Sequence, residues 1–82
     1  MITKNEFCRS AKIKDGAVLI NGINENCVEI DEYSGKAWDM LCGDFTLKEI
    51  HDVFKRIDNR ISDDEIYFFV KEMSKEGFLI EK

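Results

Sequence analysis

The sequence predicts one α+β domain in which a three-stranded antiparallel sheet is followed by three short helices. Three observations predict it. The first thirty residues carry short apolar runs punctuated by Asp15-Gly16 and Asn21-Gly22. These pairs favour tight hairpins, because both central residues of a type I′ turn need positive φ. From Asp31 onward the apolar spacing becomes helical. Two Ser/Thr-x-x-Glu sequences, Thr46 to Glu49 and Ser62 to Glu65, then mark helix starts.

Residues Phe7 to Lys14 alternate loosely and form the first strand, and Ala17 to Ile20 the second. Cys27 to Ile30 form the third, after a polar loop from Gly22 to Asn26. Alternation puts Val28 and Ile30 on one face of that strand, Cys27 and Glu29 on the other. Asp31 can cap a first helix over about 32–41, with Ala37, Trp38 and Leu41 as its buried stripe and Tyr33 nearby. Gly43 suits a left-handed position after the helix end. The second helix starts at the Thr46 capping box, stapled by Phe45 and Ile50, and its apolar stripe is Leu47, Ile50, Val53, Phe54 and Ile57. The third starts at the Ser62 box, stapled by Ile61 and Ile66. It buries Ile66, Phe69, Val70 and Met73 and closes at Gly77, before an extended Phe78-Leu79-Ile80.

The chain's 82 residues make a single domain, 1–82, with little surface to spare for a buried multi-residue active site. Its apolar fraction of 44% argues against disorder. A net charge of −5 disfavours phosphate backbones, so nucleic acid is not the expected partner. No run approaches membrane-span length and Met1 to Glu6 hold no signal-peptide core, so no membrane partner is expected and a cytoplasmic location is.

Cys8, Cys27 and Cys42 form neither a disulfide framework nor a metal clamp, and are expected as buried or half-buried free thiols. His51 is expected on a helix flank. With one histidine and no phosphate-cradling loop or nucleophile motif, no catalytic residue, metal site or cofactor is expected. Asp63, Asp64 and Glu65 suit the positive end of a helix dipole and are read as a solvated helix start.

Two surface features remain. Phe68 falls nearly opposite the core stripe of the third helix, in the arc with Glu65, Glu72 and Lys75, while Tyr67 lies on a flank. A lone exposed aromatic is ordinary, but an outward one is a candidate contact. The strand Cys27 to Ile30 has neither proline nor lysine, two residues that commonly block edge pairing. If it is an edge, it can accept an added strand.

The whole pattern resembles the PqqD-like family, the RiPP recognition elements, which are winged-helix-like domains of peptide natural-product biosynthesis. The resemblance covers about Phe7 to Ile80. It rests on Ile30-Asp31 (where the family usually shows Leu-Asn), Gly35, Ala37, Trp38, Leu41, Thr46, Glu49 and Ile50, then on Ile66, Phe69, Val70, Met73, Gly77 and Leu79. Gly43-Asp44 departs from the family's Asp-Gly before the Thr helix. The resemblance implies a non-catalytic adaptor that binds the leader of a ribosomally made precursor peptide by strand addition. It would deliver that leader to a modifying enzyme, such as a radical-SAM maturase, a cyclase or a leader peptidase. Carried onto this sequence, it implies backbone partners at Cys27, Val28, Glu29 and Ile30 and a helix wall drawing on Glu65, Phe68, Phe69 and Glu72. The acids Glu29, Glu65 and Glu72 would favour Lys or Arg in the leader.

Three rivals stand beside this. In a winged-helix DNA-binding regulator the third helix would enter the groove, yet from Asp63 to Glu76 it holds five acids against Lys71 and Lys75. A general protein-interaction module is the second rival, and a small enzyme the third. An unprotected strand can also pair with its own copy to form a homodimer. Phe68→Ala and Val28→Pro are each expected to weaken leader binding in a fluorescence polarisation assay, the proline on condition that the Val28 N–H points away from the sheet.

Overall fold

The computed structural model describes residues 1–82. The fold is α+β, with three helices and two three-stranded antiparallel sheets. In chain order the elements are β1 (Ile2–Lys4), β2 (Cys8–Ile13), β3 (Gly16–Asn21), β4 (Cys27–Asp31) and α1 (Glu32–Met40). They continue with β5 (Asp44–Phe45), α2 (Leu47–Ile57), α3 (Asp63–Lys75) and β6 (Leu79–Glu81).

The expected sheet is β2-β3-β4, with β3 in the centre. The second sheet, β5-β1-β6, corrects the expectation of a single sheet. It joins the first residues, the α1–α2 connection and the chain end, pairing Ile2 with both Phe45 and Glu81. Strands of two or three residues are too short to show a period, and partners this far apart leave no local turn signal.

Both hairpin turns differ from the type I′ expectation. Ile13 pairs with Gly16, so Lys14 and Asp15 are the central residues, and neither has positive φ. Gly16 has a different cause: a Cβ there would lie 2.0 Å from the Ile30 carbonyl oxygen. In the β3–β4 loop the left-handed residue is Glu25, at φ 62°, not Gly22. Asn21 shapes this loop by accepting from the Ile23 N–H at 3.0 Å.

The caps follow from residue chemistry. Asp31 accepts from the Ser34 N–H at 2.7 Å and starts α1. Thr46 and Glu49 complete their reciprocal box, each side chain accepting from the other's N–H at 3.1 Å. Phe45 and Ile50 are both buried, as a staple requires. At α3 the box is half made. Ser62 accepts from the Glu65 N–H, but the Glu65 carboxylate does not bond back. Gly77, at φ 83°, ends α3 with paired bonds from the Gly77 N–H to the Ser74 carbonyl and from the Phe78 N–H to that of Met73.

The core gathers Leu19, Ala37, Trp38, Ile50, Phe54 and Ile66 with the α3 stripe and Phe78. Full burial of each large side chain contributes about 1.5–3 kcal/mol. Phe54 and Phe69 meet edge to face at 5.1 Å. Trp38 carries the Lys4 ammonium 4.9 Å above its ring. Burial lowers the Lys4 pKa, and the nearby Asp39 charge partly opposes that. Leu47, on the expected apolar stripe, is exposed at the first position of α2, beside Ile2, Tyr67 and Val70, and Val53 and Ile57 are half-buried. Tyr33 is exposed as well. The thiols are free, but only Cys8 is half-buried, and burial raises its pKa. Cys27 and Cys42 are exposed, contrary to expectation. No helix is long and apolar enough to cross a membrane.

Two asparagines, Asn5 and Asn21, are buried and join the layers. The Asn5 amide donates to the Gly77 carbonyl at 3.0 Å, and Asn21 donates to the carbonyls of Glu76 and Gly77 at 3.3 Å. No buried side-chain N or O lacks a partner. Asn21→Ala removes the donor to the Glu76 carbonyl and the acceptor of the Ile23 N–H, leaves the Gly77 carbonyl to Asn5 alone, and should lower stability by about 1–3 kcal/mol. Urea unfolding would check this, and an unchanged midpoint would refute it.

Candidate functional site: an open strand edge facing a helix

β4 is paired on one side only. The ladder itself reports which of its backbone groups are free. The Asn21 N–H donates to the Asn26 carbonyl at 2.9 Å, and the Gly22 N–H donates to that of Phe7 at 3.0 Å. Odd-numbered residues of β3 therefore bond toward β4 and even-numbered ones toward β2, since antiparallel pairs alternate between bonded and non-bonded. With Leu19 opposite Val28 and Ala17 opposite Ile30, those pairs carry the bonds. The N–H and C=O of Cys27 and Glu29 point away from the sheet.

The side chains alternate as the sequence predicts. Ile30 is buried and Val28 half-buried on the inner face, while Cys27 and Glu29 are exposed on the other. Across from this inner face runs α3, whose own packing is chiefly against α2 and β6. The space left between them is a cleft of about 590 Å³.

Its floor is apolar: Ile30, Phe54, Phe69 and Met73, all buried. Val28, Ile61 and Phe68 form its sides, and Phe68 is 65% exposed although it is a large aromatic. The rim is acidic, with Glu29, Asp31, Asp64, Glu65 and Glu72. No lysine, arginine or histidine lines the cleft.

Seven of the eight expected site residues therefore converge: Val28, Glu29, Ile30, Glu65, Phe68, Phe69 and Glu72. Cys27 does not line the cleft. It sits at the start of β4 opposite Ile20 and offers only its outward backbone. Six lining residues were not expected at the site: Asp31, Ser34, Phe54, Ile61, Asp64 and Met73. A signal existed for Asp64, which stands four residues before Phe68 and eight before Glu72 on one helix face. Its place in the first turn of α3 also suits the helix dipole, which hides its second role.

α3 is held at both ends. At its start, Asp63 lies 3.4 Å from the Lys55 ammonium and 3.5 Å from His51, and Lys55 also donates to the Ile61 carbonyl. Asp63 is thus turned to α2, while Asp64 and Glu65 face the cleft. At its end, Asn21 and Asn26 reach the last turn, Asn26 donating to the Glu76 carboxylate at 3.1 Å. No group of three or more metal-ligating side chains is assembled anywhere.

Beyond the end of β4 the cleft opens into a hollow of about 420 Å³ that shares Asp31, Ser34 and Glu65 and adds Tyr33, Asp58 and Arg60. The nearby cation there is already engaged. The Arg60 N–H and guanidinium both donate to Asp58, holding that carboxyl below its usual range.

The opposite edge, β2, differs in kind. It carries Arg9 and Lys12 and is followed by Lys14, long cations of the type that obstruct edge pairing. β4 carries no cation.

No family model, no curated protein and no solved structure matches the chain.

The ladder changes the mutational expectation at the edge. The Val28 N–H points inward to Leu19, so Val28→Pro breaks the sheet rather than the free edge. It should cost roughly 1–3 kcal/mol for the orphaned Leu19 carbonyl. Glu29→Pro removes an outward N–H and should cost clearly less. Thermal melts of the two variants check the assignment, and a reversed order would overturn it.

Proposed function

We propose that this chain is a non-catalytic peptide-binding adaptor of PqqD-like, winged-helix-like type. It captures the leader of a ribosomally made precursor peptide as a fourth strand on β4 and brings it to a separate modifying enzyme. The observation that carries the reading is the unpaired β4 edge lying beside an apolar-floored cleft. Strand addition needs both parts: free backbone groups for register, and pockets on one face for alternate side chains.

Each expected contact has a role in this reading. The outward N–H and C=O of Cys27 and Glu29 pair with the leader backbone. Val28, Ile30, Phe69 and the exposed Phe68 take its apolar side chains. Glu65 and Glu72 stand on the facing helix wall. Tethering a substrate in this way raises the effective concentration of its reactive segment at a bound enzyme without any chemistry by the adaptor itself. The partner enzyme, of the radical-SAM, cyclase or peptidase kind, docks elsewhere on the surface.

The acidic rim also weighs against the DNA-binding alternative, because α3 would present carboxylates to phosphates. Pairing of β4 with a second copy would use the same edge and compete with the leader.

The test is fluorescence polarisation with labelled leaders of short precursor genes that neighbour this one. Glu29→Pro and Phe68→Ala should each weaken binding about tenfold or more, given the lost edge bond and the lost apolar burial. Unchanged affinity in both variants would move the site elsewhere. Tight duplex binding in a low-salt gel shift would favour the DNA-binding alternative.

A further inference from the structure

We infer that the cleft selects an extended segment with a basic–x–apolar–x–basic order, its two cations and central apolar residue all facing α3. The inference rests on the strand-addition reading above and adds the chemistry of the occupant.

The charge of the cleft is one-sided. Five carboxylates edge the cleft and no cation lines it. The Arg60 guanidinium of the adjoining hollow is bound to Asp58. Glu65 forms no return bond to its helix cap, so its carboxylate is uncommitted within the protein. None of Asp64, Glu65 and Glu72 takes part in an internal ion pair, unlike Asp63 on the same helix, which is turned to Lys55 and His51. An occupant carrying anions would meet only repulsion, and one carrying cations would find unspent partners.

Spacing follows from two periodicities. α3 runs opposite to β4, so Asp64 and Glu65 stand near the Asp31 end of the strand while Glu72 stands nearer Val28. Glu65 and Glu72 are seven residues apart, about 10 Å along the helix. On an added strand, side chains that share a face recur every second residue, at about 3.3 Å per residue. Positions i and i+4 then span about 13 Å, and flexible lysine or arginine stems readily absorb the difference. The residue between them on the same face, i+2, lies over Ile30, Phe69 and Met73, which demand an apolar side chain. Spacing i, i+2 would leave no side chain for that floor.

The test uses labelled synthetic peptides flanked by Ser-Thr repeats. One has the core Lys-Thr-Leu-Thr-Lys. A second replaces both lysines by glutamate. A third, Thr-Lys-Leu-Lys-Thr, keeps the composition but turns the cations to the other face. The first should bind about tenfold tighter than either control, the sum of two exposed ion pairs against their loss or repulsion. High salt should shrink that margin. Glu65→Gln with Glu72→Gln should flatten the preference, and Glu65→Lys with Glu72→Lys should turn it toward the glutamate peptide. Both are surface changes, checked for folding by circular dichroism.

Equal binding of the three peptides overturns the charge rule. If Glu29→Pro still abolishes that binding, strand addition stands and only the selectivity falls. If none of the peptides binds, or Glu29→Pro changes nothing, the strand-addition reading falls and this inference with it.

Discussion

Two buried amides, Asn5 and Asn21, donate to one acceptor, the Gly77 carbonyl, and much of the architecture depends on that meeting. Asn5 follows β1, Asn21 ends β3, and Gly77 follows α3. The two sheets and the end of the last helix are thereby joined at one point. Leaving buried carbonyls unpaired would cost about 1–3 kcal/mol each, a large share of the stability of so small a domain. The left-handed Gly77 is what turns the carbonyl toward both amides, and a side chain there would meet the Asn21 amide at 2.9 Å. With its C-terminal end tied to the β3–β4 hairpin and its N-terminal end tied to α2 by Asp63, α3 runs beside β4 without closing on it. The cleft is the space that these two attachments leave.

The contrast between the two sheet edges gives that space its meaning. A three-stranded sheet must have two open sides, and unprotected edges invite association. On β2 the liability is met by cations. On β4 the outward backbone stays bare, Val28 is only half-buried and an aromatic is left in water across the gap. Exposure of a single phenylalanine is unremarkable. Exposure of one that faces an unfilled strand position over an apolar floor is harder to explain as surface noise.

The helical half was legible because caps and apolar periods are local. Asp31, Thr46 and Ser62 start their helices as expected, and Ile50, Phe54, Ile66 and Phe78 are inaccessible. The long hairpin strands were legible for the same reason. What escaped depends on contacts between distant residues. The β5-β1-β6 sheet has strands too short for a pattern. Asn5 and Asn21 look like turn residues until their partners 55 to 72 positions away are known. The glycine of Asp15-Gly16 is required for a reason no local pattern carries: it makes room for the Ile30 carbonyl and does not adopt positive φ. At the site, α3 periodicity placed Phe68 and Glu72, and alternation placed Val28 and Ile30. Asp64 was lost because one acidic residue can satisfy a helix dipole and face a cleft at once.

The mooring of α3 at both ends has a further bearing on recognition. A wall held at both ends resists closing on a small guest and giving way to a large one. Most of the backbone order gained on association then comes from the incoming segment, so most of the entropic burden falls on that side. Discrimination then works through fit to a fixed mould, and a guest stiffened in its extended form would gain more than one given extra surface to bury.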